Sequence, residues 1–188
     1  MRPPPRQAIS AIILAGGQGR RMGRDKARLR WRGHRLLARW RELLQAECGE
    51  VLVVRARPRS AAGRHAAWDR QPGQGPVHGL EAGLRRARRA WCLVVPVDGL
   101  PPDPAVFACL ARAGGGYLQR GADPCYLHAL IPRRRRRALD GFLAAGGRSA
   151  ANACATLGLR PVPIRATALP VCSLNTPQEW RHLQRRRA

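Results

Sequence analysis

Short runs of aliphatic residues alternate with amphipathic segments along this chain of 188 residues. The runs at 8–14, 51–54 and 91–95 are rich in β-branched residues, and each has the length of one buried strand. Between the first two runs, the apolar positions of segment 36–48 follow the 3.6-residue period of a helix. Strands that alternate with helices predict an α/β fold with a mostly parallel sheet, and we expect a Rossmann-like three-layer α/β/α arrangement.

The remaining segments extend the same pattern towards the end of the chain. We predict further strands at 66–69, within 116–131 and at 161–164, and further helices at 77–89, 103–112, 134–144, 149–157 and 176–187. The helix at 103–112 has Asp103 as its N-cap and Pro104 as its first residue. The sequence contains no Pro- or Ser-rich linker, so we expect one domain over residues 1–188, with residues 1–7 disordered.

A glycine-rich loop follows the first predicted strand. The segment Leu14–Gly17 runs from the strand into this loop, where glycine lets the backbone approach a ligand closely and adopt positive φ angles. Successive backbone N–H groups in such a loop form a concavity for anions, and Arg21 and Lys26 add positive charge around it. The segment matches neither the P-loop nor the dinucleotide fingerprint. The loop alone therefore predicts a phosphate site without identifying the ligand.

Lys26 is the only lysine in a chain with 35 Lys and Arg residues in total. Arginine presents a wide planar fork, whereas lysine is a compact point charge with rotatable donors. A site that places one ammonium group between phosphate oxygens would therefore exclude arginine at this position. The alternative is that a single lysine codon survived by chance.

Two aspartates lie at the ends of predicted strands: Asp69 is the last residue of the strand at 66–69, and Asp98 comes just after the strand at 91–95. Ligands of open α/β sheets bind at the carboxyl ends of the strands, which is where the glycine-rich loop and both aspartates fall. A hard divalent ion such as Mg²⁺ takes carboxylate oxygens and keeps waters and substrate phosphates as its other ligands. Asp98 is therefore the candidate metal ligand. Capping of a turn is the alternative role for both aspartates.

The formal net charge of +24 is high for a chain of this length. Such a charge favours polyanion binding, and the five consecutive arginines at 133–137 point the same way. Arginine is nevertheless spread over the whole sequence, aromatic residues are few, and no nucleic-acid-binding module is apparent. We therefore expect a solvated cationic surface that attracts anionic substrates, with only nonspecific binding of nucleic acid.

The cysteines and histidines show no pattern typical of a metal or catalytic centre. The six cysteines are scattered without C-x-x-C pairing, which argues against a zinc site or a compact disulfide framework and suits a reducing cytoplasm. We assign all five histidines to structural roles, because they share neither a spacing nor a nucleophile partner. The first apolar run is short for a signal peptide, and no run is long enough to cross a bilayer. We expect a cytoplasmic protein without membrane contacts.

Four motifs occur in an order that resembles a known enzyme family. The sequence LAGGQGRRMGRDK at 14–26 resembles the signature L-A-G-G-x-x-x-R-M-G-x-D-K of the molybdenum cofactor guanylyltransferases, which are MobA-like nucleotidyltransferases. GPVHGL at 75–80, PVD at 96–98 and LNTPQE at 174–179 resemble that family's G-P-L-A-G-[LM], P-[CV]-D and N-x-N-T-P-E-[DE]. The Gly-Gly pair favours the guanylyltransferase branch, since the cytidylyltransferase branch usually reads L-A-A-G.

The resemblance implies transfer of GMP from GTP to the terminal phosphate of molybdenum-bound molybdopterin, with release of pyrophosphate. It implies Mg²⁺ as the metal, with Mn²⁺ as the alternative, and GTP, molybdenum-molybdopterin and molybdoenzyme assembly proteins as partners. Catalytic roles would fall on Arg21, Lys26 and Asp98, with Asp98 as the metal ligand. Nucleotide-binding roles would fall on Leu14, Ala15, Gly16, Gly17, Lys26, Arg55, Asp69, Gly79 and Asp98. Asn175 would contact the second substrate or the metal, with capping of the last helix as the alternative.

Three positions depart from the pattern of the family. Ser173 stands where the first Asn of N-x-N-T-P is expected, and Arg55 or Arg57 stands where the family often has an Asn that contacts the nucleotide. Asp98 is followed by Gly99, where Met, Thr or Leu is usual. These departures leave two other functions open. One is a sister nucleotidyltransferase that uses CTP or another acceptor, and the other is a non-catalytic, Arg-rich binder of nucleotides or RNA.

Overall fold

The computed structural model describes residues 2–16, 30–31, 33–56, 66–69, 71, 73–99, 104–164 and 178. The described strands are β1 (Ile9–Leu14), β2 (Arg30–Trp31), β3 (His34–Arg35), β4 (Glu50–Arg55), β5 (Ala66–Trp68), β6 (Trp91–Pro96), β7 (Gly116–Arg120), β8 (Asp123–Pro132) and β9 (Pro161–Ile164). The described helices are α1 (Leu36–Glu47), α2 (Pro76–Arg86), α3 (Pro104–Arg112), α4 (Arg136–Ala144) and α5 (Ala150–Thr156). Short 3₁₀ turns cover Arg6–Ala8 and Arg133–Arg135.

Seven strands form one sheet in the order β5-β4-β1-β6-β8-β7-β9. The four strands β5, β4, β1 and β6 pair in parallel, and Ala11 of β1 lies between Val51 of β4 and Leu93 of β6. Strand β8 pairs antiparallel with both β6 and β7, whereas β7 and β9 pair in parallel. The predicted α/β class with a mostly parallel sheet is confirmed.

Helices cover both faces of the sheet. Every residue of the central strand β1 is buried, and its side chains alternate between two apolar cores. Ile13 packs in the core that also contains Trp40 of α1 and Phe107 of α3, whereas Ile12 packs in the core that also contains Leu80 of α2. The second core includes residues of α4 and α5 as well. The fold is therefore the expected three-layer α/β/α arrangement.

The amino-terminal segment is more ordered than expected. We expected disorder over residues 1–7, but Arg6 begins a 3₁₀ turn and its carbonyl accepts a hydrogen bond from the Gly49 N–H at 3.0 Å. The Arg6 guanidinium also lies 3.1 Å from the Glu47 carboxylate. A Cβ atom on Gly49 would lie 2.6 Å from the Gln7 carbonyl oxygen, so this turn packs tightly against the connection between α1 and β4.

Other differences from the sequence expectations concern the ends of elements. Helix α2 ends at Arg86 rather than at residue 89, because Ala87 adopts an extended ψ of 141°. The predicted helix at 134–144 divides into a 3₁₀ turn and α4, and the small antiparallel hairpin of β2 and β3 was not predicted. Apart from Gln178, the predicted last helix lies outside the described residues, as do Asp103 and Asn175. None of the described helices combines the length and the apolar character needed to cross a membrane.

Candidate active site

The carboxyl ends of three neighbouring parallel strands, β4, β1 and β6, meet at one edge of the sheet. Backbone hydrogen bonds continue past the strand ends and hold the departing loops in place. The Ala15 N–H donates to the Val54 carbonyl at 2.8 Å, and the Val97 N–H donates to the Leu14 carbonyl at 3.0 Å. The loops that leave β1 and β6 therefore begin from positions defined by their neighbouring strands.

Gly16 is the first glycine of the phosphate loop predicted from the sequence. A Cβ atom at this position would lie 3.0 Å from the Ala56 nitrogen and 3.3 Å from the Arg55 carbonyl carbon. Both neighbours are backbone atoms, which cannot move aside as the tip of a side chain can. A residue with a side chain would therefore push the loop away from the end of β4. The later residues of the loop, Gly17, Arg21 and Lys26, lie outside the described residues.

The amino end of α2 lies close to the same strand ends. Its N-cap residue is Gly75, with φ at 104°, and a glycine offers no side-chain acceptor for the first N–H groups of the helix. A Cβ atom on Gly79 would lie 3.6 Å from both Leu14 Cδ2 and Val54 Cγ1, so the first turn of α2 packs over the ends of β1 and β4. A helix amino end with available N–H groups favours anions. The predicted residues Leu14, Ala15, Gly16 and Gly79 thus share one region.

Asp98 lies in a tight turn directly after β6. The Gly99 N–H closes this turn by donating to the Pro96 carbonyl at 3.0 Å, and the Asp98 side chain is buried with 8% exposure. Among the described residues, no group of three or more His, Cys, Asp or Glu side chains could hold a metal ion. One buried carboxylate suits a divalent ion that takes its remaining ligands from substrate phosphates and water. The described residues therefore fit a shared metal–nucleotide site rather than an all-protein cage.

Arg55 and Asp69 lie at the ends of the adjacent strands β4 and β5. The Asp69 N–H donates to the Arg55 carbonyl at 2.9 Å, which extends the pairing of the two strands by one bond. The Asp69 carboxylate also accepts a hydrogen bond from the Gln71 N–H at 2.9 Å. This is the turn-capping role weighed from the sequence, and it engages one of the two carboxylate oxygens. Contact of Asp69 with a nucleotide stays a prediction.

His128 of β8 is a residue of this region that sequence reasoning missed. Its side chain is 2% exposed, and a Cβ atom on Gly99 would lie 2.4 Å from its Nε2 atom. Nε2 has no hydrogen-bond partner within the part of the chain that the structure describes. Burial lowers the pKa of His128 to about 4, so the ring is neutral near pH 7. The unusual glycine after Asp98 was the available signal, because the imidazole occupies the space that a side chain there would need.

An open, mostly parallel sheet with Gly16, a helix amino end and a buried aspartate at its central strand ends is typical of nucleotide-binding α/β proteins. The match of a family model narrows this class. The chain belongs to the MobA-like NTP transferase domain family, whose model matches residues 11–159. The resemblance inferred from the four sequence motifs is thereby confirmed.

Similar proteins of known sequence extend over nearly the whole chain. A probable molybdenum cofactor guanylyltransferase from Opitutus terrae is 36% identical and covers 96% of this chain and 97% of its own. A molybdenum cofactor guanylyltransferase from Pseudomonas paraeruginosa is 32% identical, with 90% and 91% of the two chains covered.

Solved structures share the fold at lower identity. Molybdopterin-guanine dinucleotide biosynthesis protein A from Archaeoglobus fulgidus matches with a TM-score of 0.70 at 21% identity over 93% of this chain and 96% of its own. An inositol-1-phosphate CTP transferase from T. maritima matches with a TM-score of 0.69 at 10% identity over 93% and 91%. Because proteins named for different nucleotides share this fold, the fold itself does not select the base.

Proposed function

We propose that the protein transfers GMP from GTP to the terminal phosphate of molybdenum-bound molybdopterin and so forms the molybdopterin guanine dinucleotide cofactor. The main support is the nearly intact signature at 14–26, which begins at the end of β1 where Gly16 passes against the β4 backbone. The guanylyltransferases that resemble this chain over about nine-tenths or more of its length support the same activity. We expect the reaction to take place in the cytoplasm and its product to pass to molybdoenzyme assembly proteins.

The proposed reaction is an in-line transfer of a nucleotidyl group. An oxygen of the acceptor phosphate attacks the α-phosphorus of GTP, and the bond from that phosphorus to the oxygen bridging to the β-phosphate breaks as pyrophosphate leaves. The acceptor is already an anion, so no strong general base is needed. The task of the protein is to align two polyanions and to stabilise the negative charge that develops between them.

We assign the binding of the triphosphate to the glycine loop and the first turn of α2. Backbone N–H groups of the loop from Gly16 onward and the amino end of α2 near Gly79 would provide the donors. Arg21 and Lys26 would supply mobile positive charge. Lys26→Ala should lower the rate by roughly 10²–10³-fold, as loss of one well-placed donor does. Lys26→Arg should be nearly as damaging, and near-normal turnover of that variant would refute the point-charge argument.

Asp98 would hold the divalent ion, Mg²⁺ or its alternative Mn²⁺. When bound, such an ion neutralises phosphate charge and stabilises the leaving pyrophosphate. The Asp98 carboxylate would direct its oxygens toward the phosphates from the turn after β6, and the burial of this residue would limit competition from bulk water. We infer Mg²⁺ dependence from this buried carboxylate at the strand end.

The residues that distinguish the base and the acceptor are part of the same proposal. Arg55 would donate to guanine, whose O6 and N7 both accept hydrogen bonds and match the fork of a guanidinium group. Cytosine also presents two acceptors, N3 and O2, beside its amino donor, so the preference for GTP over CTP is measured directly with a panel of nucleotides. The other carboxylate oxygen of Asp69 would contact the guanine or the ribose, and Asn175 would contact the acceptor or the metal.

A panel of nucleotides tests the proposal. The protein is incubated with molybdenum-molybdopterin, Mg²⁺ and each of the four NTPs, and pyrophosphate release is measured. We expect release with GTP alone and its loss on chelation of the metal. Preference for CTP would instead indicate a sister cytidylyltransferase, and release with none of the four would favour a non-catalytic binder.

Salt dependence separates a nucleotide site from general polyanion binding. Binding of RNA through six to ten phosphates should weaken by about 10³–10⁵-fold between 50 and 200 mM salt. We expect GTP binding with Mg²⁺ to persist at physiological salt, because backbone donors and a metal ion hold the triphosphate. Equal salt slopes for GTP and RNA, without a metal effect, would contradict the guanylyltransferase proposal.

A further inference from the structure

Gly99 and His128 occupy interlocking positions beside Asp98. The turn Pro96–Gly99 presses its glycine against the imidazole, since a Cβ atom on Gly99 would lie 2.4 Å from Nε2 and 2.8 Å from Cε1 of His128. The same Cβ atom would lie 3.0 Å from Pro96 Cγ. The ring of His128 thus contacts the turn that carries the Asp98 carboxylate.

The placement of His128 follows from the pairing of β8 with β6. The two strands run antiparallel, and Val94 lies opposite Ala129, so His128 falls beside the carboxyl end of β6. The residues of β8 that follow His128 pack as ordinary apolar core: Ala129, Leu130 and Ile131 are each 1% exposed. His128 is the polar residue of this buried stretch, and it is adjacent to the candidate metal ligand.

The Nε2 atom of His128 is buried and has no hydrogen-bond partner among the described residues. A buried polar atom without a partner costs free energy, and native proteins keep few such atoms. An apolar residue of similar size would avoid that cost at this position. A buried polar atom beside this turn that has no partner among the described residues suits a hydrogen bond that forms when the site is loaded.

We propose that His128 is a positioning residue of the active site, whose Nε2–H donates the hydrogen bond that orients Asp98 when the metal nucleotide binds. The inference rests on the proposed function, because it takes Asp98 as the residue that holds the metal of the bound nucleotide. Groups that hydrogen-bond to a metal-binding carboxylate fix its orientation, and their loss typically lowers metal affinity or activity by 10–100-fold.

His128→Phe tests the proposal because it keeps an aromatic ring against Gly99 but removes the nitrogen. The measurement is the dissociation constant for GTP with Mg²⁺ and with EDTA, together with the thermal midpoint. We expect the Mg²⁺-dependent gain in GTP affinity to fall by about 10–100-fold, while the thermal midpoint stays the same or rises. If the histidine were merely structural, the variant would have a lower thermal midpoint, and Mg²⁺ would increase its GTP affinity as much as in the wild type.

Two further variants serve as conservative rescue and matched control. His128→Gln places an amide N–H at about the distance from the backbone that Nε2–H has in histidine. We expect this variant to recover at least part of the Mg²⁺-dependent increase in GTP affinity that His128→Phe loses. Ile131→Val removes one buried methylene from the same strand, away from the turn, and should lower stability without changing the Mg²⁺ effect. No recovery with Gln, or an equal loss of the Mg²⁺ effect in Ile131→Val, would contradict the proposal.

A double-mutant cycle shows whether His128 acts through Asp98. In the Asp98→Asn background, His128→Phe should cause no further loss of GTP affinity, because the group it positions is already gone. A further loss of tenfold or more would mean that Nε2 contacts the nucleotide independently, and the positioning role would be wrong. Absence of metal-dependent GTP binding in the wild type would overturn the proposed function itself, and that outcome is seen before any variant is made.

Discussion

The two ends of the central strands differ in how their polar groups are satisfied. At the amino end, Ser10 of β1 is completely buried and its hydroxyl donates to the Glu50 carboxylate at 2.5 Å. The Arg89 N–H donates to the Ser10 oxygen at 3.1 Å, and the Arg88 N–H donates to Glu50 at 2.9 Å. These contacts join the starts of β1 and β4 to the segment that leads into β6.

The carboxyl end of the same strands carries a helix amino end, a buried carboxylate and a buried imidazole. The first turn of α2 begins at a glycine cap, Asp98 is buried in a turn, and His128 Nε2 has no partner among the described residues. A polar group that is satisfied within the fold contributes to stability, whereas one kept for a ligand contributes to function and often costs stability. Substitutions at the two ends should therefore separate activity from stability.

The largest separation is expected for Asp98→Asn. Removing a residue that only hydrogen-bonds to a metal ligand typically lowers metal affinity or activity by about 10–100-fold. If Asp98 binds the metal directly, its replacement should have a larger effect, and kcat/KM should fall by more than about 100-fold. The amide keeps the shape of the side chain, so the thermal midpoint should change little. Steady-state kinetics and thermal unfolding of the same preparation make the comparison. A large fall in the midpoint with activity that still responds to Mg²⁺ would identify Asp98 as a turn cap.

Glu50→Ala should give the reverse result at the amino end. The change removes the acceptor of the fully buried Ser10 hydroxyl, and leaving one buried donor unpaired costs about 1–3 kcal/mol of unfolding free energy. Denaturant unfolding measures this loss. We expect the KM for GTP and the kcat of the folded protein to stay within about twofold, since additivity holds for distant sites. An equal loss in both properties would show that the two ends are not independent.

Two glycines of α2 extend the comparison within one helix. A Cβ atom on Gly83 would lie 2.5 Å from Ile12 Cγ2, so Gly83→Ala should overpack the core and cost about 1–3 kcal/mol of stability. A Cβ atom on Gly79 would lie at an ordinary 3.6 Å, and alanine there should stabilise the helix by up to about 1 kcal/mol. We expect Gly79→Ala to weaken GTP binding all the same. If it binds GTP as the wild type does, phosphate does not approach this turn.

Local patterns predicted the parts of the site that depend on a few consecutive residues. The apolar run at 8–14 predicted β1, and the apolar run at 91–95 predicted β6. Each of these signals lies within one short segment of the sequence. The contact between His128 and Gly99 could not be predicted, because it depends on β8 pairing antiparallel with β6 over about 30 residues of intervening chain. Sequence identified Gly99 as unusual, but the reason lies in a neighbouring strand.

The smallest effect is the contribution of His128 to the pH dependence of stability. Burial lowers its pKa from an ordinary value of 6.5 to about 4. Between these two pH values His128 is mostly protonated in the unfolded chain and mostly neutral in the folded chain. The contribution of His128 to the free energy of unfolding is therefore fully present above the unfolded pKa of 6.5, and it is lost as the pH falls from there towards 4. Between pH 7 and pH 6 the loss should be about 0.7 kcal/mol.

Denaturant unfolding at pH 7 and pH 6 isolates the contribution of His128 to the pH dependence of stability. The proteins compared are the wild type, His128→Phe and Ile131→Val. We expect His128→Phe to lose about 0.7 kcal/mol less than the wild type over this interval, and Ile131→Val to show the wild-type difference at a lower overall stability. The same slope in wild type and His128→Phe would mean that the imidazole is not kept neutral by burial. The carboxyl end would then lack the buried neutral imidazole that distinguishes it from the amino end.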